Sequence, residues 1–256
     1  MSGRIAGASE AKPVIQLRYA VGATAFALLL WQGVVWITGV PAFILPSPLR
    51  VAQAAIANRA LIAENALVTA TEVILGLMIG TVLGAITAVP LAGSARLHRV
   101  VMPLLIFTQA VPVFALAPIL TLWLGYGVAS KVVMAVLIIY FPVTSAFYDG
   151  LTRVPADILD MARTMGGTKG QIMRRIKIPH ALPSLGTGLR LAAVYAPIGA
   201  VIGEWVGASK GLGYLMLLAN GRAKTDLMFA SLLALVVMTL LLHLAITKAA
   251  DSLGRR

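Results

Sequence analysis

Six apolar stretches, each about the length of a membrane span, restrict what this sequence can fold into. They cover residues 19–40, 67–92, 100–124, 131–150, 184–206 and 227–248. A helix needs about 20 predominantly apolar residues to cross the hydrocarbon core of a bilayer. Because lipid offers the backbone no hydrogen-bond partners, each span must be helical. The sequence therefore predicts an all-α membrane protein with six transmembrane helices in a single domain, residues 19–256.

The composition favours a membrane protein over a soluble one. Of the 256 residues, 59% are apolar and 12% are charged, whereas a soluble domain averages about 45–50% apolar and about 25% charged residues. The net charge of +12 would suggest a nucleic-acid partner in a soluble protein. Here the basic residues lie between the apolar stretches, so membrane topology explains them and no nucleic-acid partner is expected. The absence of cysteine excludes disulfides and thiolate sites.

The distribution of basic residues between the spans predicts the orientation. Six spans place both termini on one side of the membrane, and with that side inside, fourteen basic residues are inner and six are outer. The inner residues are Arg4, Lys12, Arg18, Arg96, Arg99, Arg153, Arg163, Lys169, Arg174, Arg175, Lys177, Lys248, Arg255 and Arg256. The outer residues are Arg50, Arg59, Lys131, Lys210, Arg222 and Lys224. Since cytoplasmic loops carry the excess of Lys and Arg, both termini are expected in the cytoplasm, with residues 1–18 as an N-terminal cytoplasmic segment.

Prolines interrupt the third span at Pro103, Pro112 and Pro118. Proline removes a backbone hydrogen bond and bends or breaks a helix. Within a membrane, the freed carbonyl groups must be satisfied by neighbouring protein or by water. We therefore expect this span to lie inside the helix bundle.

Two outer segments are predicted to contain short helices rather than simple loops. Residues 45–65 open with an extended Pro-x-Pro and continue as a helix at the membrane interface. Residues 207–226 combine a glycine-rich turn with a short apolar helix. The GLG sequence in this turn lacks the full G-x-G-x-x-G context after a strand, so it is interpreted as a turn and not as a phosphate site.

The inner segment 151–183 carries six basic residues and has a helical pattern of its own. Apolar residues recur there at the spacing of one helical face, at Ile158, Met161, Ala162 and Met165. The pair Gly166-Gly167 is expected to end this helix, because glycine readily adopts the left-handed conformation found just after a helix. The pattern predicts a first short helix followed by a sharp corner.

A second helix is predicted to follow the corner. Thr168 and Gln171 have the spacing of a capping box, which marks a helix start, and Pro179 and Pro183 are expected to end this helix. Physical chemistry alone allows the two helices to be an interfacial pair held to anionic lipid by their basic residues. The double-glycine corner instead favours a compact projection from the membrane.

Residues 160–179 resemble the EAA loop of permease subunits of bacterial binding-protein-dependent ABC importers. That motif has the form E-A-A, three residues, G, nine residues, I-x-L-P. Its positions are taken here, with every spacing matched, by Asp160, Met161, Ala162, Gly166, Ile176, Ile178 and Pro179. Asp replaces Glu, Met replaces the first Ala and Ile replaces Leu, which leaves the helix and the corner intact. The resemblance implies that residues 151–183 form the coupling loop, which docks on the ATPase subunit.

Other segments extend the resemblance to the sulfonate/nitrate/taurine group of these permeases. They are LPSP at 45–48, WLGYGVASK at 123–131, YFPVTSAFYDG at 140–150 and GEWVGASKGLGYL at 203–215. The resemblance implies a type I ABC importer permease in the bacterial inner membrane, with the coupling helix between spans 4 and 5. It also implies a homodimer that works with two ATP-binding subunits and a periplasmic solute-binding protein. The sequence contains no G-x-x-x-x-G-K-[ST], so no cofactor is expected in this chain, and ATP and Mg²⁺ are expected on the partner ATPase.

Two charged residues within the spans are candidates for the translocation path or a gate, since charge in a membrane is costly and usually faces protein or water. Glu204 is interpreted either as a gating or substrate-facing carboxylate or as a member of a structural pair. Arg190 is expected either to extend to the lipid headgroups or to pair across the bundle. No pattern indicates catalytic residues or a metal site, so an enzyme is not expected.

Two other function classes are weighed against an importer subunit. An ATP-independent secondary transporter or channel would be favoured by an internal inverted repeat, and none is visible. A membrane enzyme would need a converging set of catalytic groups. For the solute, SAFYDGL and residues 197–220 resemble members that handle hydroxymethylpyrimidine-type thiamine precursors, with sulfonates, nitrate and taurine-like solutes as alternatives.

Overall fold

The computed structural model describes residues 11–253, and every regular element in this range is helical. The helices are α1 (Ala11–Thr38), α2 (Pro48–Ala57), α3 (Arg59–Gly93), α4 (Ala95–Ala110), α5 (Val113–Leu124), α6 (Val128–Thr152), α7 (Ala156–Thr164), α8 (Lys169–Ile172), α9 (Ile178–Gly207), α10 (Leu212–Gly221) and α11 (Thr225–Leu253). The all-α prediction is confirmed. Residues 1–10 of the predicted cytoplasmic segment lie outside the described range, as do residues 254–256.

Five helical segments are long and apolar enough to cross a membrane. They are Val21–Thr38, Arg59–Gly93, Val128–Thr152, Lys169–Gly207 and Thr225–Ser252. Each contains most of one predicted span. The third predicted span corresponds to α4 and α5, which pass the same test together, so the described chain has six spans if this pair counts as one.

Helices α4 and α5 meet at an angle of 94°. The break falls at Val111-Pro112, where both residues are extended, as expected because proline disfavours the helical conformation of the residue before it. The expectation that this segment lies inside the bundle is wrong for the single chain, since large apolar side chains of both helices, such as Phe107 and Phe114, are exposed. Prolines show where a helix breaks, but they do not show which neighbour covers the break.

The fifth span begins earlier than predicted. Pro179 and Pro183 do not end the second loop helix, because residues Lys169–Gly207 form one continuous helical segment of 39 residues. A π-helical turn at Met173–Lys177 joins α8 to α9, and Pro179 lies in the first turn of α9. In a regular α-helix the proline would remove a hydrogen bond and clash with the carbonyl four residues earlier. The widened π-helical turn before it shifts the hydrogen-bond pattern by one residue.

Helices α3, α6 and α9 form the core of the bundle through very close contacts. A Cβ atom added at Gly80 of α3 would lie 2.7 Å from Ile139 of α6, and one added at Gly199 of α9 would lie 2.6 Å from Cα of Ala135. Apolar residues of the three helices, including Val73 and Ala196, pack around these contacts. Small residues let membrane helices approach closely enough for van der Waals packing to hold them together.

The helices outside this core are less enclosed. From Val21 to Thr38, helix α1 is mostly exposed. Trp31 contacts Phe229 of α11 with ring centroids 5.7 Å apart. The predicted interfacial helix within 45–65 is shorter than expected, because α2 ends at Ala57 and α3 already begins at Arg59. The predicted short apolar helix within 207–226 is confirmed as α10.

The two ends of the core carry different features. At one end, which we call the loop end, Gly93 of α3 approaches Met173 and Gly150 of α6 approaches Ser184. At the other, which we call the opposite end, the start of α3 and the start of α6 contact the segment between α9 and α10.

We expect Gly199→Ala to lower the free energy of unfolding by about 1–3 kcal/mol, the usual cost of overpacking a tight core. The added Cβ would meet backbone atoms of Met134 and Ala135, which cannot rotate away. Gly33→Ala is the matched control, because it also lies in a membrane helix and no heavy atom comes within 4 Å of its added Cβ. Thermal unfolding of both variants in detergent measures the difference. Equal melting temperatures would show that the core does not depend on this contact.

Candidate functional site

The 151–183 loop is built around a glycine corner. Helix α7 ends at Thr164, and Gly166 follows with φ +80°. The N–H of Gly166 donates to the carbonyl of Arg163, and the N–H of Gly167 donates to the carbonyl of Ala162, each over 2.9 Å. These bonds satisfy carbonyl groups that the end of a helix leaves without partners. The predicted end of the first helix at Gly166-Gly167 is confirmed.

The two glycines are needed for different reasons. Gly166 adopts a left-handed conformation that is costly for residues with a Cβ, although an added Cβ would meet no atom within 4 Å. At Gly167 an added Cβ would lie 2.7 Å from the carbonyl oxygen of Ala162. The corner therefore requires glycine at position 166 because of the backbone conformation, and at position 167 because a side chain would not fit.

The second loop helix starts with the predicted capping box. The backbone N–H of Gln171 donates to Oγ1 of Thr168 over 3.3 Å, and the backbone N–H of Thr168 donates to Oε1 of Gln171 over 2.8 Å. The two bonds satisfy N–H groups at the helix start. This confirms the start of the second helix.

Apolar side chains of the first loop helix remain uncovered. Ile158 is 40% exposed, Met161 60% and Met165 80%. They lie on the face that the sequence predicts to be apolar. The carboxylate of Asp160, which precedes Met161, forms an ion pair with Arg163 at 2.6 Å. The tip of the loop thus presents an apolar surface that no part of the described chain covers.

The structure brings some of the motif residues together. Ala162, Gly166 and Ile176 line one shallow pocket of about 300 Å³ at the corner. Asp160 and Pro179 are exposed and do not line this pocket. Ile178 packs instead against the cluster at the ends of the spans described next.

The loop is anchored firmly at its base. Met173 and Ile178 pack against a buried cluster at the loop end, which consists of Ala88, Phe147, Leu151 and Ala181. These residues belong to α3, α6 and α9. A force applied to the second loop helix therefore acts directly on the core of the bundle.

Glu204, the first candidate for a gate, lies at the opposite end and is 1% exposed. Its carboxylate accepts hydrogen bonds from Oγ1 of Thr69 over 2.6 Å and from the backbone N–H of Gly213. It thus joins α9 to α3 and to the first turn of α10. In this conformation of the chain the carboxylate does not face an open surface, and a role in transport stays a prediction.

Sequence reasoning missed the role of Lys131, which it counted among the residues of an outer loop. The side chain is 1% exposed. Its ammonium group donates to the carbonyls of Tyr126 over 2.7 Å and of Gly127 over 3.0 Å, and also to that of Gly207. One feature of the sequence could have indicated the burial of Lys131. It opens the fourth predicted span, and Glu204 is predicted at the same end of the membrane.

Arg190, the second candidate, pairs across the bundle. Its guanidinium group forms an ion pair with Asp251 of α11, and its backbone carbonyl lies 3.3 Å from Nδ1 of His243. The side chain was expected either to extend to the lipid headgroups or to pair across the bundle, and the structure shows the pairing. A place in the translocation path stays a prediction for Arg190 too.

A further ion pair lies on the surface above Glu204. Nζ of Lys210 is 2.7 Å from Oε1 of Glu64, and both side chains are largely exposed. The hydrogen bond from Lys210 to this carboxylate raises the pKa of the Lys210 ammonium group. The pair links the segment before α10 to the start of α3.

The family described as binding-protein-dependent transport system inner membrane component matches residues 80–256. The chain belongs to this family. The match covers α6, the 151–183 loop and α9.

Named relatives agree with this assignment. A probable ABC transporter permease of Haemophilus influenzae is 48% identical over 219 residues, which cover 86% of this chain and 89% of the relative. The formylaminopyrimidine transport permease ThiX of Halalkalibacterium halodurans is 39% identical, over 73% of this chain and 75% of the relative. The riboflavin transport permease RibX of Chloroflexus aurantiacus is 35% identical, over 84% and 81%.

The fold is shared with a solved ABC transporter. A chain of the MetNI methionine transporter, in an inward-facing conformation, superposes with a TM-score of 0.68 at 20% identity, over 76% of this chain and 97% of that chain. The likeness at this identity concerns the fold alone.

The family membership identifies the protein as a transmembrane permease subunit of an ATP-driven ABC importer for a small solute. It is a transporter subunit and not an enzyme, and the alternatives of a membrane enzyme and of an ATP-independent transporter or channel are set aside. As an inner membrane component of a binding-protein-dependent system, it works with an ATP-binding subunit and a solute-binding protein.

We expect Gly166→Val to leave the permease in the membrane but to reduce ATP-driven transport. Valine at a left-handed position costs about 1–2 kcal/mol, which displaces the corner without touching the spans. Uptake per permease molecule, measured at matched permease levels, reports the loss.

The matched control is Gly170→Val. Gly170 is also a loop glycine with open space around an added Cβ, and it lies in α8 without a positive φ. Its variant should transport several-fold better than Gly166→Val. Equal transport by the two variants would show that the left-handed corner is not required.

Proposed function

We propose that the 151–183 loop is the surface on which the ATP-binding subunit docks. The observation that carries this proposal is the apolar stripe at the loop tip, formed by Ile158, Met161 and Met165, which is exposed on a fixed corner. Exposed apolar patches with a polar surround mark protein interaction sites. The motif residues Asp160, Ala162 and Ile176 shape or border this surface in the proposal, and Ile178 anchors the loop at its base.

The docking proposal includes the orientation of the chain. The loop and the N-terminal segment lie on the cytoplasmic side, where the excess of Lys and Arg is expected. Both termini are then cytoplasmic, and the opposite end, with Glu204 and Lys131, faces the periplasm. ATP and Mg²⁺ are bound by the partner subunit in this proposal.

The importer contains two copies of this chain in our proposal. The contacts at Gly80 and Gly199 leave no room for a solute between α3, α6 and α9, so the path runs along a face of the bundle and needs a second wall. The exposed apolar side chains of α4 and α5, such as Phe107 and Phe114, offer a surface for a second copy. Arg190 and Glu204 hold the chain's own helices together in this conformation.

The transported solute is a pyrimidine precursor of thiamine in this proposal. Support comes from the 39% identity to the formylaminopyrimidine permease and from the resemblance of residues 145–151 and 197–220 to permeases for hydroxymethylpyrimidine. The riboflavin permease, which is 35% identical, is named for the transport of another heterocycle.

The test is uptake into vesicles that contain the permease, its ATP-binding subunit and its solute-binding protein. We expect ATP-dependent accumulation of labelled hydroxymethylpyrimidine that excess unlabelled formylaminopyrimidine abolishes and excess taurine or nitrate leaves unchanged. Vesicles supplied with ADP are the control. Accumulation of taurine, nitrate or riboflavin without accumulation of hydroxymethylpyrimidine would contradict the pyrimidine assignment.

A further inference from the structure

The amino-terminal end of α10 is held by side chains of two other helices at the opposite end of the bundle. The backbone N–H of Gly211 donates to Oδ1 of Asn65, and that of Leu212 donates to Oγ1 of Thr69, each over 2.8 Å. The N–H of Gly213 donates to Oε2 of Glu204. The first N–H groups of a helix have no partners within the helix. Here α3 and α9 supply the partners.

These contacts are direct and leave no space for water. A Cβ added at Gly211 would lie 2.2 Å from Cδ of Glu204, and one added at Gly213 would lie 2.8 Å from Oε2. Asn65, Thr69 and Glu204 are all buried. The start of α10 is thus packed against the carboxylate as closely as its backbone allows.

Lys131 extends the same network to the start of α6. Its ammonium group joins the carbonyls of Tyr126 and Gly127, which follow α5, to the carbonyl of Gly207, which ends α9. Its aliphatic chain packs against α9 next to Glu204, since a Cβ added at Gly203 would lie 2.9 Å from Cγ of Lys131. One buried network therefore ties α3, α5, α6, α9 and α10 together at this end.

Opening the network would be unfavourable. Movement of α10 away from α3 would leave buried N–H groups and a buried carboxylate without hydrogen-bond partners, and the lost solvation of such groups is not recovered. A helix that moved in each transport cycle would need partners that exchange easily, such as the exposed side chains of Lys210 and Glu64.

We propose that Lys131 and Glu204 are positioning residues that keep the start of α10 fixed on α3 throughout the transport cycle. The path then opens by movement of the bundle as a body, and α10 does not lift away as a separate gate. This inference goes beyond the docking and solute proposals and depends on neither.

The first test fixes the surface ion pair above the network. The chain has no cysteine, so Glu64→Cys and Lys210→Cys introduce the only two thiols, and a short reducible bis-methanethiosulfonate reagent links them. ATP hydrolysis is measured in vesicles that contain the permease, its ATP-binding subunit and its solute-binding protein. The single variant Lys210→Cys, treated with the same reagent, is the control for modification.

We expect the linked permease to support ATP hydrolysis within threefold of the same sample after reduction. A loss of threefold or more that reduction reverses would show that α10 separates from α3 during the cycle, and it would overturn the proposal. Because the readout is hydrolysis, a wrong solute assignment does not affect the comparison.

The second test asks whether Glu204 does the positioning. Leu212→Cys places a thiol at a buried position next to the network, and Val143→Cys places one in the buried core between α3, α6 and α9. Adding Glu204→Gln should increase the reaction of maleimide with Leu212→Cys at least tenfold and leave Val143→Cys unchanged. Asn65→Ala is a milder change that removes the acceptor of the Gly211 N–H. It should increase the reaction of maleimide with Leu212→Cys at least threefold.

Lys131→Met serves if the Glu204→Gln protein does not accumulate, because Lys131 is the other proposed positioning residue. Unchanged labelling at Leu212→Cys with the variant that accumulates, or an equal increase at both cysteine positions, would overturn the positioning role. Lys131→Met should have the same local effect as Glu204→Gln, because it releases the end of α9 that carries the carboxylate.

Discussion

Close backbone contact between α3, α6 and α9 is the constraint on which the other features of this permease depend. At positions such as Gly80 and Gly199 the helices approach so closely that a Cβ atom would clash with the neighbouring helix. Without a hydrophobic driving force between helices in lipid, such packing supplies much of the attraction. The result is a tightly packed core, and in our proposal the solute moves along a surface of the bundle.

One long element connects the 151–183 loop itself to the opposite end of the core. The helical segment Lys169–Gly207 starts in the second loop helix, is anchored at Met173 and Ile178, and reaches the buried network beyond Glu204. Its π-helical turn lies where the loop joins the span. The second loop helix is therefore continuous with the end of α9, where Lys131 donates to the last carbonyl.

Local chemistry made much of this structure predictable from the sequence. Apolar length predicted the spans, and the pair Gly166-Gly167 with the Thr168 capping box predicted the loop geometry, because these signals act within a few residues. The continuous helix through Pro179 was not predicted, since a π-helical turn has no simple sequence pattern. The buried place of Lys131 was not predicted either, because its carbonyl partner at Gly207 is distant in sequence and only the fold brings them together.

Site-specific photo-cross-linking in the assembled importer shows whether the exposed stripe on the 151–183 loop contacts the ATP-binding subunit. A photoreactive amino acid replaces Met161 at the loop tip, and a second protein carries it at Ile56, an exposed residue of α2. We expect an abundant adduct with the ATP-binding subunit from position 161 and none from position 56. Adducts from position 161 with lipid alone, in importer that hydrolyses ATP, would contradict this expectation.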